Sequence, residues 1–406
     1  MQDLLFLSHR IPYPPNKGDK IRSYHLLKYL RLNYNVHLGT FIDDPFDYQY
    51  TVKLDALCAS TCYIELKPLL AKIKSLQGLL TGEPLSLPYY RNKRMQKWIN
   101  QTLSSYSITK VLIFSSAMAQ YINQDQVVDM IVDFVDVDSD KWQQYAQHCK
   151  GLKHWIYCRE AQHLFNYEKS IAEQARASIF VSEHEAELFQ TLVPEVNHKI
   201  TYINNGVDID YFSPELNFSS PYADNDQIIV FTGAMDYWAN VDAVIWFVNA
   251  IFPIIREQLP AIVFYIVGSK PTKEVLTLAN NNVVVTGTVA DVRPYIAHAH
   301  LVVAPLRIAR GIQNKVLEAM AMEKYVVATA AAMEGITYQQ ELSISVVDTI
   351  DLIASEIIEQ LQKKVSAHQN RVFVKTMFSW EYNIKQLLSL LQNHSNITHH
   401  EPVEGS

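Results

Sequence analysis

The sequence has no excess of positive charge, because 35 Lys and Arg residues are set against 42 Asp and Glu residues, for a formal net charge of −7. Proteins that bind nucleic acid normally carry a strong basic excess, so nothing here favours that class. Cysteine is also scarce, and the spacing of Cys58, Cys62, Cys149 and Cys158 is not that of a zinc site. We therefore expect reduced thiols, as in the cytoplasm.

Long apolar runs are missing as well. Near the N-terminus the apolar run extends only from Leu4 to Leu7 and follows Asp3, whereas a signal peptide needs a longer apolar core after basic residues. No segment reaches the roughly 18 apolar residues that a membrane span requires. A content of 49% hydrophobic and 19% charged residues is typical of a soluble globular protein. The sequence thus predicts a cytoplasmic protein.

Short runs rich in Val, Ile and Phe alternate along the chain with helical segments such as 19–31, 242–258, 291–298 and 313–322. The runs show little polar alternation, as expected of parallel strands that are buried on both faces. This alternation predicts doubly wound α/β sheets, and 406 residues suffice for two domains of about 150 to 200 residues each. The predicted strands are 3–8, 35–41, 62–66, 110–115, 130–135, 178–182, 228–233, 262–268, 283–287, 301–305 and 325–329.

A stretch rich in Asn, Asp, Ser and Pro, residues 202–226, separates the two series of strands. We interpret it as the junction between two Rossmann-like domains, residues 1–205 and 206–377. The final amphipathic helix, about 378–392, is expected to pack back on the first domain, and the polar tail 393–406 to be disordered. Ligands of such sheets bind at the carboxyl ends of the strands, so we expect these ends to face a cleft between the domains.

Positive charge is concentrated in the segment "APLRIARGIQNKVLEAMAMEKYVVAT", residues 304–329, at the start of a predicted helix. Helix N-termini attract anions, and Arg307, Arg310 and Lys315 add full charges. Glu318 follows Lys315 by about one turn on the same face, where a carboxylate can accept hydrogen bonds from two ribose hydroxyls. The pattern predicts a site for a nucleoside diphosphate. The alternative is that Glu318 only pairs with Lys315 or Asn314 on a solvated face.

Several motifs in order resemble a known family. "RGIQNKVLEAMAMEKYVVAT" is similar to the donor-site helix of family 4 glycosyltransferases, which have the GT-B fold, and "NNGVDIDYFSP", "FTGAMDYWANVDAVIWF" and "IVGS" match other parts of that family's pattern. The segments "SHRIPYPPNKGDKIRSYHLLKYL" (8–30), "VDFVDVDSDKWQQYA" (132–146) and "FVSEHEAELF" (180–189) resemble more narrowly the exosortase-associated (PEP-CTERM) exopolysaccharide sugar transferases. The resemblance covers nearly the whole chain.

The resemblance implies transfer of a sugar from a nucleotide donor to an acceptor hydroxyl, with retained anomeric configuration and without a metal or other cofactor. Glu318 would bind the ribose, backbone around Val289 would hold the base, and Gly18 and Gly233 would lie beside the donor. A glycine at position 18 fits this role because backbone without a Cβ can approach a ligand closely. A plain turn glycine is the alternative at Gly18.

The sequence departs from the family's pattern at two places. Many members carry a first glutamate, facing the donor sugar, eight positions before the ribose-binding one, where this chain has Arg310. Many also carry an Arg and a Lys in the loop after Gly233 that hold the diphosphate, and "GAMDYWAN" has neither. The two departures suggest that Arg310, with Arg307 and Lys315, supplies the missing positive charge.

On the acceptor side, "DFVDVDSDK" places four aspartates at the end of a predicted strand. Asp136 and Asp138 imitate the DxD metal motif of a different glycosyltransferase fold, but we favour no metal here. Asp133 and Asp138 are the candidates for lining the acceptor site, and the alternative is a strand end and helix cap built from Asp and Ser. His9, after the first strand, is a candidate for binding hydroxyls or a structural histidine.

Basic and apolar residues are mixed in 67–98, as in segments that dock soluble enzymes on anionic lipid. A solvated pair of helices that covers the sheet is the alternative. For the chain as a whole, the predicted function is a glycosyltransferase of exopolysaccharide assembly with a saccharide or lipid-linked acceptor. A GT-B sugar-nucleotide epimerase or hydrolase, or a non-catalytic nucleotide-sugar-binding partner protein, are the alternatives.

Overall fold

A computed structural model describes residues 1–15, 18–123, 126–147, 149–223, 227–309, 311–336, 341–363 and 366–392. The chain divides into two compact units. The first unit comprises Met1–Asn204 and the chain from Ile384 onward, and the second comprises Asn205–Asn383. Each unit is built around one parallel β-sheet.

The sheet of the first unit has the strand order β3-β2-β1-β4-β5-β6-β7 in the described residues, and every neighbouring pair is parallel. The chain therefore moves outward in one direction from β1 to β3 and in the other from β4 onward, which makes β1 and β4 the topological switch point. The strands are β1 Gln2–Ser8, β2 Tyr34–Ile42, β3 Ser60–Glu65, β4 Lys110–Phe114, β5 Asp129–Val135, β6 Ala177–Phe180 and β7 Ile200–Tyr202.

The continuous apolar runs become strands because both faces of this sheet are covered by helices. All five residues of β4 are buried, and the core joins alternate residues such as Val111 and Ile113 to the inner face of α6 through Met95 and Ile99. The helices of this unit are α1 Gly18–Leu30, α2 Thr51–Asp55, α3 Pro68–Ser75, α4 Gly78–Thr81, α5 Ser86–Tyr90, α6 Lys93–Ser105, α7 Asp138–Gln147, α8 Gly151–Gln174 and α9 Glu183–Leu192.

The second unit repeats this topology. Its sheet has the order β10-β9-β8-β11-β12-β13, again with parallel neighbours, so β8 and β11 form its switch point. The strands are β8 Gln227–Thr232, β9 Ile262–Val267, β10 Val283–Gly287, β11 Leu301–Ala304, β12 Val326–Ala328 and β13 Ile344–Val346. The helices are α10 Trp238–Trp246, α11 Phe252–Gln258, α12 Lys273–Leu276, α13 Arg293–His298, α14 Asn314–Ala321, α15 Ile350–Gln362 and α16 His368–Met377.

The last described helix, α17 (Trp380–Gln392), begins in the second unit and ends in the first. Its carboxyl end is fixed to the first sheet, because the ammonium group of Lys110 donates to the carbonyl oxygen of Leu391 and Arg176 donates to that of Leu390. These bonds satisfy carbonyls that a helix end leaves unpaired. The predicted tail 393–406 lies outside the described residues.

The prediction of two doubly wound α/β domains is confirmed. All eleven predicted strands are present, with ends that differ by a few residues. Two strands were not predicted, β7 and β13, because each has three residues and, unlike the equally short β12 in the run 325–328, neither lies in a longer apolar run. The predicted helix 242–258 begins at Trp238 and contains a π-helical turn, Phe247–Ile251, shortly before Pro253, which has no amide hydrogen to continue the helix.

This interrupted helix, Trp238–Gln258, is the one segment of the described chain that is long and apolar enough to cross a membrane by length and composition. It has high mean hydropathy without an unbroken apolar run, which is why counting apolar residues does not find it. Its side chains Val244, Phe247, Ile251 and Ile255 are fully buried in the core of the second unit. Packing in that core accounts for its apolar composition.

Candidate functional site

The candidate site lies at the switch point of the second sheet. Strands β8 and β11 are neighbours there, with Val302 paired to Val230, so their carboxyl ends lie side by side. The loop after β8 begins at Gly233, and the loop after β11 leads into α14, which carries Lys315 and Glu318. Since ligands of open α/β sheets bind where the strand order reverses, the topology brings the predicted donor residues to the expected place.

Close packing requires glycine at both Gly233 and Gly268. A Cβ on Gly268 would lie only 1.6 Å from the carbonyl oxygen of Gly233, and a Cβ on Gly233 would lie 2.7 Å from Nδ2 of Asn240. The loops after β8 and β9 therefore approach each other without side chains between them. The same closeness lets Asn240 donate from Nδ2 to the carbonyl oxygen of Ala234, at 2.9 Å, which holds the loop against the start of α10.

Lys315 reaches into this loop. Its ammonium group donates to Oδ1 of Asn240 and lies 4.6 Å from the ring centroid of Phe231. Burial lowers the pKa of Lys315 to about 8, against the opposing charge of Glu318. A cation from α14 is thus held beside the loop after β8, which has no Arg or Lys of its own between Gly233 and Asn240.

Glu318 carries a carboxylate that has no hydrogen-bonding partner among the described residues. Burial raises its pKa to about 7, and the charge of Lys315 opposes that shift without an ion pair being formed. Asn314, one turn earlier, also has a buried Oδ1 without a partner in the described chain. Glu318 therefore forms neither of the pairs, with Lys315 or with Asn314, that would have made it a solvated surface residue. An unpaired, desolvated carboxylate favours a ligand that donates hydrogen bonds.

Arg307 is placed differently. Its Nε donates to Oδ2 of Asp242 at 2.9 Å, its side chain is about half exposed, and its guanidinium lies 5.5 Å from the ring centroid of Trp246. Asp242 and Asn240 are two positions apart on α10, which puts them on different faces of that helix. The structure therefore does not bring Arg307 to the Asn240–Lys315 pair. The other predicted arginine, Arg310, lies outside the described residues.

A second cluster, which sequence reasoning missed, lies near Glu318. The guanidinium of Arg293 bonds Asp291, with Nη2 to Oδ2 at 2.6 Å, and lies 3.7 Å from the ring centroid of Tyr211. Burial raises the pKa of Tyr211, and the charges of Asp291 and Glu318 add to the rise while Arg293 opposes it, so Tyr211 and Glu318 are close enough to interact. Tyr211 belongs to the junction motif "NNGVDIDYFSP", and that motif is the signal that could have identified it.

Val289, the predicted base-binding position, lies in the loop after β10, two residues before Asp291. Its side chain is partly buried and packs against the cluster that includes Val230 of β8 and Val267 at the end of β9. The backbone of this loop is thus fixed by an apolar anchor. Such an anchor suits a role in which main-chain groups, and not the side chain, contact a ligand.

In the first unit, His9 follows β1 at the switch point. Its ring stacks on Phe114 with centroids 5.7 Å apart, and its Nε2 lies 3.6 Å from Oδ2 of Asp19. Burial alone would raise the pKa of Asp19, but hydrogen bonding with His9 and the charge of Arg10 outweigh burial and lower it. Nδ1 of His9 is buried and has no partner in the described part of the chain.

Asp133 has a structural role. It is 1% exposed, and its Oδ2 accepts from Nε of Arg22 at 2.7 Å while its Oδ1 accepts from the amide of Val135 at 3.2 Å. Arg22 also donates to the carbonyl oxygen of Ile203, so the pair ties α1 to β5 and to the end of β7. With both oxygens occupied and no exposure, Asp133 is not placed to contact a bound acceptor.

Asp138 is accessible, because its side chain is 41% exposed. It lies 3.3 Å from the ammonium group of Lys141, which also bonds Asp136 at 2.5 Å. A single lysine therefore bridges the two aspartates of the DxD-like sequence. Among the described residues no group of three or more His, Cys, Asp and Glu side chains is placed to hold a metal ion.

Gly18 is the first residue of α1. A Cβ at this position would meet nothing within 4 Å, and Gly18 is not among the residues with positive φ. Neither packing nor backbone conformation in the described chain therefore demands a glycine here. The role of Gly18 beside a donor stays a prediction, and a plain turn glycine stays the alternative.

The family described as "Glycosyl transferases group 1" matches residues 226–363, which include Gly233, Val289, Lys315 and Glu318. No curated protein matches the chain. Among solved structures, the fold is similar to sucrose-phosphate synthase from Thermosynechococcus elongatus, with a TM-score of 0.65 and 18% identity over 96% of this chain and 98% of that one.

Two further glycosyltransferase-fold structures are similar over nearly their whole length. WaaG, a glycosyltransferase involved in lipopolysaccharide biosynthesis, has a TM-score of 0.61 and 15% identity, over 96% of this chain and 100% of that one. HepE from Anabaena, in complex with UDP-glucose, has a TM-score of 0.60 and 16% identity, over 96% and 99%. The chain thus has the GT-B fold. Together with the group 1 match of the second unit, this fold supports a glycosyltransferase enzyme that uses a nucleotide-sugar donor.

The ionisation of Glu318 predicts how nucleoside binding depends on pH. Only the carboxylate accepts both ribose hydroxyls, so the affinity for a nucleoside should rise roughly tenfold from pH 6 to pH 8, as a group with a pKa of about 7 loses its proton. Calorimetric titration at a series of pH values measures this. A nucleoside has no phosphate, so ionisation of the ligand does not contribute in that range.

Two variants serve as controls for this prediction. Glu318→Gln should bind nucleoside weakly and without the pH dependence. Lys315→Met should move the rise to higher pH, because Lys315 lowers the pKa of Glu318. A wild-type affinity that does not change between pH 6 and pH 8 would contradict the assignment of Glu318 to ribose.

Proposed function

We propose that the protein transfers a sugar from a nucleotide-sugar donor to an acceptor hydroxyl, with retention at the anomeric carbon, during assembly of an extracellular polysaccharide. The observation that carries the proposal is the carboxylate of Glu318, which has no partner in the described chain, one turn from the partly buried side chain of Lys315 at the switch point of a domain that matches group 1. Glu318 can then accept hydrogen bonds from a ribose, and Lys315, one turn away, can bind the phosphates attached to it. A nucleoside diphosphate joins the two in this order.

For the donor, we assign the ribose to Glu318, the diphosphate to Lys315 and Arg310, and the base to backbone around Val289. A ribose that donates two hydrogen bonds would compensate the desolvation that raises the pKa of Glu318. A diphosphate would give Lys315 an anionic partner in place of the neutral amide of Asn240. HepE of Anabaena was solved with UDP and with UDP-glucose, so UDP is the first nucleotide to try.

Transfer by front-face retention needs few protein groups. The bond between the anomeric carbon and the phosphate oxygen breaks, the acceptor oxygen bonds to the same face, and the acceptor proton passes to the leaving phosphate. The negative charge that develops on the diphosphate is then the main target for stabilisation, and Lys315 and Arg310 are the cations we assign to it. Arg310 occupies the position at which related enzymes have a glutamate that faces the sugar. If Arg310 binds the phosphates, it compensates for the Arg and Lys that are missing after Gly233.

For the acceptor, we propose hydroxyl binding by His9 and Asp138 of the first unit. His9 offers a buried Nδ1 without a partner in the described chain, and Asp138 is exposed. Asp133 is not included, because Arg22 and Val135 already occupy its carboxylate. Gly18, at the start of α1, is assigned to the approach of backbone to the donor.

A transfer assay tests the proposed function. Purified protein is incubated with a panel of labelled nucleotide sugars, with and without a lipid extract of the membrane, and we expect label to move to lipid or saccharide. Glu318→Gln should lower kcat/KM by roughly ten- to a hundredfold, the effect of losing a charge-assisted hydrogen bond. Val127→Ala, a change at an exposed position of the first unit, is the matched control.

The other outcomes of this assay identify the alternative functions. Nucleotide release or sugar isomerisation without an acceptor would indicate a hydrolase or epimerase. Donor binding with no turnover under any condition would indicate a non-catalytic partner protein. Either result would contradict the proposed transfer.

We also propose that the protein docks on the inner face of the cytoplasmic membrane through α3 and α4. Leu69, Leu70, Ile73, Leu76 and Leu80 are each more than half exposed, and Lys67, Lys72 and Lys74 lie among them in the sequence. Exposed apolar side chains flanked by lysines suit insertion at the surface of anionic lipid. A lipid-linked acceptor would be delivered at that surface.

Sedimentation with liposomes examines this docking surface. Wild-type protein should sediment with anionic vesicles at low salt and less at high salt, because polybasic attraction is screened. Ile73→Asp should reduce sedimentation, whereas Val127→Asp, at another exposed apolar residue, should not. Binding that ignores lipid charge, or none at either salt concentration, would remove α3 and α4 as a membrane surface.

A further inference from the structure

A cavity of about 630 Å³ opens at the outer edge of the first sheet. We call it the β3 pocket, because alternate residues of β3, the edge strand, form one of its walls, and α6 forms another. Strand β3 is two strands away from the switch point at β1 and β4, so the pocket is distinct from the place where His9 lies. The polar and aromatic residues that line it include Tyr48, Tyr63, Glu65, Arg94, Lys97, Trp98 and Gln101.

The indole ring of Trp98, one of the pocket's lining residues, packs against the sheet at Gly39. A Cβ on Gly39 of β2 would lie 2.9 Å from Cζ3 of Trp98, so the missing side chain at Gly39 makes room for Trp98 against the sheet. Tyr63 is held in place as well, because its hydroxyl donates to Oδ1 of Asp55 at 2.8 Å. Two aromatic rings are therefore fixed in position before any ligand binds.

Polar groups of both kinds converge on the same space. Glu65 accepts hydrogen bonds, Arg94 donates them, and Gln101 does both. Burial raises the pKa of Tyr48, Glu65 adds to the rise and Arg94 opposes it, which indicates that both charges act on the hydroxyl of Tyr48. The half-exposed ring of Tyr48 thus lines the same pocket as one acceptor and one donor.

This lining selects among classes of ligand. An apolar ligand would displace water from the exposed groups of Glu65 and Arg94 without replacing its hydrogen bonds. A phosphate group would be attracted by Arg94 and Lys97, but Glu65 would repel it and it has no apolar face to pack on the aromatic rings. A sugar fits both features, because its hydroxyls donate and accept and its C–H faces pack on aromatic rings. The volume lies within the roughly 300 to 1,000 Å³ of small-molecule sites.

We propose that the β3 pocket binds a neutral oligosaccharide segment of the acceptor or product chain, remote from the reacting hydroxyl. The proposal rests on the proposed function in naming the saccharide as an acceptor or product. A second point of attachment raises the effective concentration of a long acceptor at the enzyme without changing the chemical step. The pocket therefore strengthens the binding of acceptors that are long enough to reach it and leaves the binding of short acceptors unchanged.

Binding is tested with neutral oligosaccharides of two to six units from the gluco-, manno-, galacto- and xylo-series, by saturation-transfer NMR and calorimetry on the full chain. The wild type should bind at least one series, with affinity rising with length. Tyr48→Ala combined with Gln101→Ala should weaken binding at least about fivefold, which corresponds to losing one ring contact of about 1 kcal/mol. Tyr106→Ala, at a tyrosine that is similarly exposed outside the pocket, should leave it unchanged.

The design separates this proposal from the proposed function. Glu318→Gln, which is expected to impair the donor site, should bind the oligosaccharide as the wild type does, so the pocket can be confirmed even if no transfer is found. With active enzyme, the pocket variant should raise KM for long acceptors and leave kcat and short acceptors unchanged. Absence of binding by the wild type to every series would overturn the proposal. Binding that the pocket variant leaves unchanged, or an Arg94-dependent affinity for phosphate-bearing vesicles alone, would overturn it too.

Discussion

Two opposite charges, held close together but not paired, are the feature on which the proposed donor site depends. Burial destabilises both ionised forms, which raises the pKa of Glu318 to about 7 and lowers that of Lys315 to about 8. A direct ion pair would relieve this cost, yet Lys315 bonds Asn240 and Glu318 has no partner among the described residues. The free protein therefore keeps an acceptor and a cation available for a ligand that supplies hydroxyls and an anion.

The backbone explains why this arrangement persists. Gly233 and Gly268 allow the loops after β8 and β9 to touch, which brings Asn240 within reach of both Ala234 and Lys315. The amide of Asn240 is oriented by these two bonds, with its nitrogen toward Ala234 and its oxygen toward Lys315. Packing of two glycines thus fixes the position of a cation on a helix that follows a different strand, and no residue of the loop itself needs to be charged.

Much of the fold could be predicted from the sequence, because buried parallel strands are continuous apolar runs. The strands missed, β7 and β13, are three residues long and lie outside longer apolar runs, whereas the equally short β12 lies within one. The site was predictable in part: the motifs located Lys315 and Glu318, but no sequence pattern tells which cation reaches which partner. Arg307 donates a hydrogen bond to Asp242, and Asp133 accepts one from Arg22, which is 111 positions away in the sequence. Local spacing in the sequence does not encode such tertiary contacts. In the Asp291–Arg293–Tyr211 cluster, Asp291 and Arg293 are close in sequence, but the contact with Tyr211 spans 82 positions and local spacing does not reveal it.

The most direct test asks whether different residues of this site bind the ribose and the phosphate. It is a calorimetric titration of nucleoside and of nucleoside diphosphate into the wild type, Glu318→Gln and Arg310→Ala. The account predicts that Glu318→Gln weakens both ligands by roughly ten- to a hundredfold, because both contain the ribose. It predicts that Arg310→Ala weakens the diphosphate and leaves the nucleoside unchanged, because its partner is phosphate. Unchanged nucleoside affinity in Glu318→Gln, or unchanged diphosphate affinity in Arg310→Ala, would contradict it.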